Sequence, residues 1–248
     1  MRVIPLPAFA DNYIWLIECD GQFACIDPGD AAPVQAYLAE RGAVLQQIWV
    51  THHHHDHIGG VAALQTAYPQ VAVMGHGEIA GVSQPVGEGS RWAFAGYEVE
   101  VWAVPGHTDS HLAYLWHMPD ELRVFCGDTL FSAGCGRVFT GTMAQLFASL
   151  KRLSALPDEA LLYPAHEYTA ANLRFAQHIE PDNAAVRQAL HDSAIPSLPV
   201  RVAHERAVNP FLRVNEPAVR DRAAVLSGQP CLEPLDVFTA LRELKNHF

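Results

Sequence analysis

No Cys-x-x-Cys pair occurs in the 248 residues, and the five cysteines (Cys19, Cys25, Cys126, Cys135 and Cys231) are an odd, widely scattered set. That leaves no basis for a disulfide framework or a thiolate zinc site and fits a reducing compartment. Positive charge is also scarce. Sixteen Lys and Arg stand against 27 Asp and Glu, a net charge of −11, which argues against a nucleic-acid backbone as the main partner. No apolar run approaches the roughly 18 residues of a membrane span. The N-terminal MRVIPLPAFADNYIW is broken by prolines and reaches Asp11 before any apolar core of signal-peptide length. There is no Gly-x-Ser-x-Gly elbow for a serine nucleophile. A cytoplasmic protein is expected, a monomer without nucleic-acid or membrane partners.

Half of the residues are apolar, enough to bury one large core with a smaller appendage. Up to about residue 165, short β-rich runs end in Gly, Pro, Asp or His: NYIWLIEC, QFACIDPGD, QQIWVTH, VAVMGH, YEVEVWAVPGH, LAYLWHM, LRVFCGDT and ALLYPAH. Helical patterns lie between some of them, namely AAPVQAYLAERG, GVAALQTAYP and TMAQLFASLKRLSAL. Beyond residue 169 the text turns helical, in AANLRFAQHIEP, NAAVRQALHD, PAVRDRAAVLSG and PLDVFTALRELKNHF, with no convincing strand. An α/β domain over residues 1–169 and a smaller helical domain over 170–248 are expected.

Fourteen histidines are the outlier, and five of them fall in THHHHDHIGG, residues 51–60. The run is internal and follows an apolar strand, unlike a purification tag. His52 and His54 stand two apart and point the same way from an extended segment, while Asp56 and His57 fall where the chain turns toward a helix. Two pairs of ligands can serve two neighbouring metal ions. Imidazole and carboxylate suit zinc, iron or manganese, and a catalytic site keeps a position open for water. The missing ligands should lie where other strands end. His107 in VPGHT, Asp128 in FCGDT and His166 in YPAHEYT are such positions, and the glycines beside His107 and Asp128 permit close backbone approach. His53 and His55 alternate with the ligands and should point elsewhere. His76, His111, His117, His178, His191, His204 and His247 are expected to be structural or surface residues.

The pattern T-H-x-H-x-D-H at 51–57, with Gly-His-Thr at 106–108, Gly-Asp-Thr at 127–129 and the His of AHEYT, resembles the metallo-β-lactamase superfamily. Within it, the chain resembles the glyoxalase II (hydroxyacylglutathione hydrolase) family from end to end. The stretches that carry this are PAFADNYIWLI, DPGD, GDTLFSAGCGRVFTGT, AHEYTAANLRFA, NPFLR and LRELKNHF. The resemblance implies a metallo-β-lactamase-like αββα sandwich with a smaller C-terminal helical domain. It implies two divalent ions, zinc first, with iron or manganese as alternatives. His52, His54 and His107 would hold one ion, Asp56, His57 and His166 the other, and Asp128 would bridge them. Arg137, Phe139, Tyr168, Arg242 and Lys245 match substrate-contacting positions; some members carry a tyrosine where this chain has Phe139.

Two such ions lower the pKa of a bridging water and polarise an acyl carbonyl, so the expected nucleophile is a hydroxide held between them. A thioester asks least of the site, because a thiol of pKa near about 8.5 leaves without a general acid. No protein residue beyond the ligands is assigned a chemical role; Cys135, between two glycines, has a tight-turn role before Arg137. The expected reaction is hydrolysis of S-(2-hydroxyacyl)glutathione, typified by S-D-lactoylglutathione, to a 2-hydroxy acid and glutathione, the second step of methylglyoxal detoxification. Arg242 and Lys245, one turn apart, would hold glutathione carboxylates, and removing either should raise KM with limited loss of kcat. Competing readings are a lactone, phosphodiester or other ester as substrate, a one-iron oxygenase acting on glutathione persulfide, and a non-catalytic metal store or sensor.

Overall fold

The computed structural model describes residues 1–192 and 194–248. The chain divides into two compact units, Met1–Ala103 with Ser110–Gly127, and Val104–Asp109 with Asp128–Phe248.

The first unit contains β1 (Arg2–Ala8), β2 (Asn12–Cys19), β3 (Gln22–Ile26), α1 (Ala32–Ala39), β4 (Gln47–Trp49), α2 (His55–Ile58), α3 (Val61–Ala67), β5 (Ala72–Gly75), β6 (Gln84–Pro85), β7 (Arg91–Phe94), β8 (Tyr97–Ala103), β9 (Leu112–His117) and β10 (Leu122–Gly127). Strands β1 to β6 form one sheet in chain order, antiparallel from β1 to β3 and parallel from β3 to β6. Strands β7 to β10 form an antiparallel meander in a second sheet. Trp49 joins the two. Its ring lies 5.7 Å from those of Trp92, Phe94 and Tyr114 and 5.8 Å from Phe125, and the Tyr114 hydroxyl donates to the Val50 carbonyl at 2.6 Å. A second cluster, including Leu16, Val34, Leu38, Ile48, Leu64 and Val73, seats α1 and α3 on the first sheet.

The sequence pattern does not announce β1, because Pro5 and Pro7 interrupt it. It is an edge strand bonded only to β2, with Pro5 opposite Trp15 and Pro7 opposite Tyr13. Two prolines two residues apart place both missing N–H groups on one side of the strand, and at an edge that side faces no partner.

The second unit contains β11 (Leu130–Phe131), β12 (Gly134–Cys135), α4 (Met143–Ser154), β13 (Leu161–Pro164), α5 (Thr169–Ile179), α6 (Ala184–Asp192), β14 (Val200–Arg201), α7 (Val202–Val208), α8 (Pro217–Ser227) and α9 (Pro234–Asn246). Helix α4 starts on a reciprocal Thr142–Gln145 capping box. Helices α8 and α9 begin with proline in the first turn, where its missing N–H costs nothing. Two elements beyond residue 169 depart from the expectation: the short strand β14, paired with β13, and α7. Among the described residues no helix is long and apolar enough to cross a membrane.

Candidate metal centre

In the first unit the histidine run leaves the carboxyl end of β4, a position where parallel sheets place ligands. Chain extension through His54 (φ −64°, ψ 145°) gives way at His55 to α2, with Asp56 in its first turn. His52 and His57 are buried, Asp56 and His54 are partly buried or open at one side, and His53 is exposed. His53 and His55 are exposed while His52 and His54 are buried or partly buried, and the alternation ends at α2, where His57 is buried.

Asp27, at the end of β3, fixes the orientation of this group. Its Oδ1 accepts the Thr51 N–H at 2.7 Å and its Oδ2 the Thr51 hydroxyl at 2.8 Å. That hydroxyl, having donated its proton, accepts from Nδ1 of His52 at 3.0 Å. Nε2 of His52 is left facing Nδ1 of His54 at 2.9 Å. Asp27 Oδ2 also lies 3.1 Å from Nδ1 of His57, whose Nε2 is 3.5 Å from Asp56 Oδ2. Asn12 donates to that Asp56 oxygen at 3.1 Å. His52 is thus anchored through Nδ1 on Thr51, and His57 sets its Nδ1 beside the Asp27 carboxylate, outer partners of the kind that orient metal-binding histidines. His111 is fully buried and stacks on His52 at 4.7 Å, so it is not a surface residue.

In the second unit Asp128 stands between two histidines. Nε2 of His107 lies 3.5 Å from its Oδ2, and Nε2 of His166 lies 3.4 Å from its Oδ1. One imidazole addresses each carboxylate oxygen. His107 follows β8, Asp128 directly follows β10 and His166 follows β13, so all three stand at strand ends as their sequence contexts predict. Nδ1 of His107 donates to the Arg137 carbonyl at 2.8 Å, and the Phe139 N–H donates to the His107 carbonyl at 3.0 Å. Gly106 (φ 142°) leaves no room for a Cβ, which would lie 2.3 Å from the Leu146 backbone.

These spacings fit a cation better than direct hydrogen bonds. Two ligand atoms about 2.1 Å from one tetrahedral ion stand about 3.4 Å apart, whereas N–H···O bonds run to about 3.2 Å. The His107–Asp128, His166–Asp128 and Asp56–His57 pairs are all at 3.4–3.5 Å. Imidazole and carboxylate donors, with no thiolate, suit a borderline divalent metal.

The remaining expected residues all belong to the second unit. Tyr168 stacks on His166 at 4.8 Å and 7°, and the exposed Phe139 sets its ring edge-on to His107 at 5.2 Å. Arg137 is exposed. Lys245 is partly buried above the Phe175 and Phe248 rings; burial first, then Arg242, Arg174 and Arg137, lower its pKa. Arg242 differs from an open substrate-binding cation. It is 4% exposed and donates to the Cys135 carbonyl at 2.7 Å and the Gly136 carbonyl at 3.4 Å. Cys135 lies in strand β12 opposite Leu130 and not in a tight turn as expected, and burial raises its thiol pKa, the mark of an inert thiol.

Residues 9–166 match the model of the metallo-beta-lactamase superfamily, and residues 167–248 match that described as hydroxyacylglutathione hydrolase C-terminus. A curated protein of Neisseria meningitidis serogroup C, named hydroxyacylglutathione hydrolase, is 53% identical over 100% of this chain and 99% of its own. The chain belongs to the hydroxyacylglutathione hydrolase family. A Vibrio cholerae member of the same name is 45% identical, with 100% of both chains covered. Among solved structures, ETHE1 from Myxococcus xanthus is similar with a TM-score of 0.67 and 27% identity, over 99% of this chain and 98% of that one. TTHA1623, solved in a di-iron-bound form, has a TM-score of 0.61 and 26% identity, over 86% of this chain and 100% of its own. As a hydroxyacylglutathione hydrolase family member the chain is a hydrolase with the metallo-β-lactamase fold, and its His/Asp cluster supports a binuclear metal site.

Asp27, Thr51 and Asn12 carry no assignment from sequence reasoning. A signal for Asp27 is nonetheless present. Strands β3 and β4 are parallel neighbours with Ile26 beside Trp49, so an Asp ending β3 falls next to the start of the histidine run.

Proposed function

We propose that this chain hydrolyses S-(2-hydroxyacyl)glutathione thioesters, typified by S-D-lactoylglutathione, to a 2-hydroxy acid such as D-lactate and free glutathione, the second step of methylglyoxal detoxification. The observation that carries the reading is the Asp128 carboxylate with one imidazole at each oxygen, in a chain 53% identical to a named hydroxyacylglutathione hydrolase. His52, His54 and His107 would hold one divalent ion, Asp56, His57 and His166 the other, and Asp128 would bridge them. Zinc is the first choice, with iron or manganese as alternatives that the same donors accept.

When bound, such a pair of ions supplies a water of lowered pKa and polarises a carbonyl. The protein's own contribution is orientation. Asp27, through Thr51 and His57, and the Arg137 carbonyl, through His107, hold the imidazoles in the tautomers that present a lone pair. Tyr168 offers a phenol beside His166, while Lys245 and Arg137 supply local positive charge to glutathione carboxylates on a protein of net charge −11. Phe139 lacks a hydroxyl that a tyrosine would offer the glutathione backbone.

In this reading residues 1–169 are the catalytic domain and 170–248 the helical substrate-binding domain. The enzyme works as a cytoplasmic monomer, in keeping with its five free cysteines. The test is loss of S-D-lactoylglutathione thioester absorbance on protein of measured metal content. Turnover proportional to bound metal supports the reading; metal-loaded protein inert toward this thioester but active on a lactone would refute the substrate.

A further inference from the structure

The hairpin β11–β12 links Asp128 to Arg137, and its turn, Ser132–Ala133, is held by a residue outside the sequence motifs. Glu205 on α7 is fully buried. Its Oε1 accepts the Ser132 hydroxyl at 2.9 Å, and its Oε2 accepts the Ala133 N–H and the Asn209 side-chain amide, both at 2.9 Å. The Asn209 amide also donates to the Gly134 carbonyl at 2.9 Å, and Asn172 donates to the Ser132 carbonyl at 3.0 Å. Ala133 sits at φ 55°, a left-handed conformation that costs an ordinary residue about 1–3 kcal/mol and persists only when its surroundings impose it.

These contacts are an unusual investment for stability alone. A buried carboxylate is expensive to desolvate, and well-packed apolar side chains often serve stability as well or better. The location supplies a reason. The chain leaves the pinned turn through Gly134 and Cys135, and two residues later the Arg137 carbonyl accepts the proton of His107 Nδ1. Gly136 passes so close that an added Cβ would lie 2.0 Å from the Asp128 carbonyl oxygen and 2.9 Å from His107 Nδ1.

We propose that Glu205 is a positioning residue for the metal centre: its carboxylate fixes the Ser132–Ala133 turn, so that the hairpin brings the Arg137 carbonyl onto His107 and sets which imidazole nitrogen is offered. The inference rests on His107 being a metal ligand, as in the proposed function.

The experiment compares wild type, Glu205→Ala and Glu205→Gln at pH 8, reading thermal midpoint, metal ions retained per chain after dialysis against a weak chelator, and kcat and KM for the thioester. Glu205→Ala should retain fewer ions and lose about 10- to 100-fold in kcat/KM, the range for removed outer partners of metal ligands. Glu205→Gln should restore both, because its carbonyl can accept from Ala133 and Asn209 while its amide donates to the Ser132 oxygen. A Glu205→Ala protein of lowered thermal midpoint with undiminished metal and kcat/KM would overturn the proposal, as would a Glu205→Gln protein as impaired as the alanine variant. Should Glu205→Ala fail to fold, Ser132→Ala removes one of the three bonds, and a loss of about fivefold in kcat/KM is expected; unchanged metal retention and kinetics would refute the role. Wild type that binds no metal or leaves the thioester intact would instead overturn the functional reading beneath it.

Discussion

Replacing Gly136 by alanine tests how tightly the segment after the hairpin controls His107. The added methyl would lie 2.0 Å from the Asp128 carbonyl oxygen and 2.9 Å from His107 Nδ1. Real contacts of this kind stay beyond 3.0 Å, and the obstacle is backbone, so the chain at residue 136 must retreat by about 1 Å. The Arg137 carbonyl is attached to it. A shift of that size stretches its 2.8 Å bond to His107 Nδ1 beyond about 3.5 Å, where no hydrogen bond remains. A buried donor left without its partner costs about 1–3 kcal/mol, and a displacement of about 1 Å near a reacting centre lowers turnover about 100-fold. Gly136→Ala should therefore fold, retain less metal than wild type and fall about 100-fold in kcat/KM, measured by thioester hydrolysis beside metal analysis and circular dichroism. Wild-type kinetics with undiminished metal would refute the idea that this segment orients His107.

Other outcomes follow from the same geometry. Asp27→Ala removes the carboxylate that accepts from Thr51 and lies against His57 Nδ1, and metal affinity measured by competition with a chromogenic chelator should fall about 10- to 100-fold. Lys245→Ala should raise KM about tenfold with kcat nearly unchanged, the loss of one charge-assisted contact remote from the reacting carbon. Arg242→Ala should lower kcat as well, because that guanidinium holds the Cys135 and Gly136 carbonyls; steady-state kinetics of the two variants side by side separates these effects. Burial pushes the Glu205 carboxyl up from 4.5 to about 7, against the lowering influence of Asn209, Ala133 and Ser132. Because the folded pKa is the higher one, the group's stabilising contribution is full below pH 4.5 and is lost as pH rises through about 7. Urea unfolding of wild type minus Glu205→Gln should show a difference that falls by roughly 3 kcal/mol between about pH 4.5 and 7.5, and no pH dependence of that difference would contradict the assignment.

Legibility in the sequence follows the range of the signal. The strand ends and most helices are local patterns, alternation and 3.6-residue periodicity closed by Gly or Pro, and the expected ligands stand at those ends. Strand β1 escapes because prolines at 5 and 7 suppress the usual strand signal, although an edge tolerates them. Helix α7 carries no apolar stripe long enough to register, and β14 is only two residues long. The orienting residues are hidden for another reason. Asp27 acts on Thr51 and His57, Glu205 on Ser132 and Ala133, and Arg242 on Cys135; in each case the partner is set by the fold. The helical spacing of Arg242 and Lys245 places them on one face, but does not reveal that Arg242 is buried beneath a loop while Lys245 stays partly open.

Thioester cleavage should depend directly on two ions held by these side chains. Protein stripped with a strong chelator and freed of it should lose S-D-lactoylglutathione hydrolysis, and titration with zinc should restore it in proportion to bound metal up to two ions per chain. Hydrolysis that continues undiminished in the stripped protein, or that returns fully with no metal bound, would contradict this dependence.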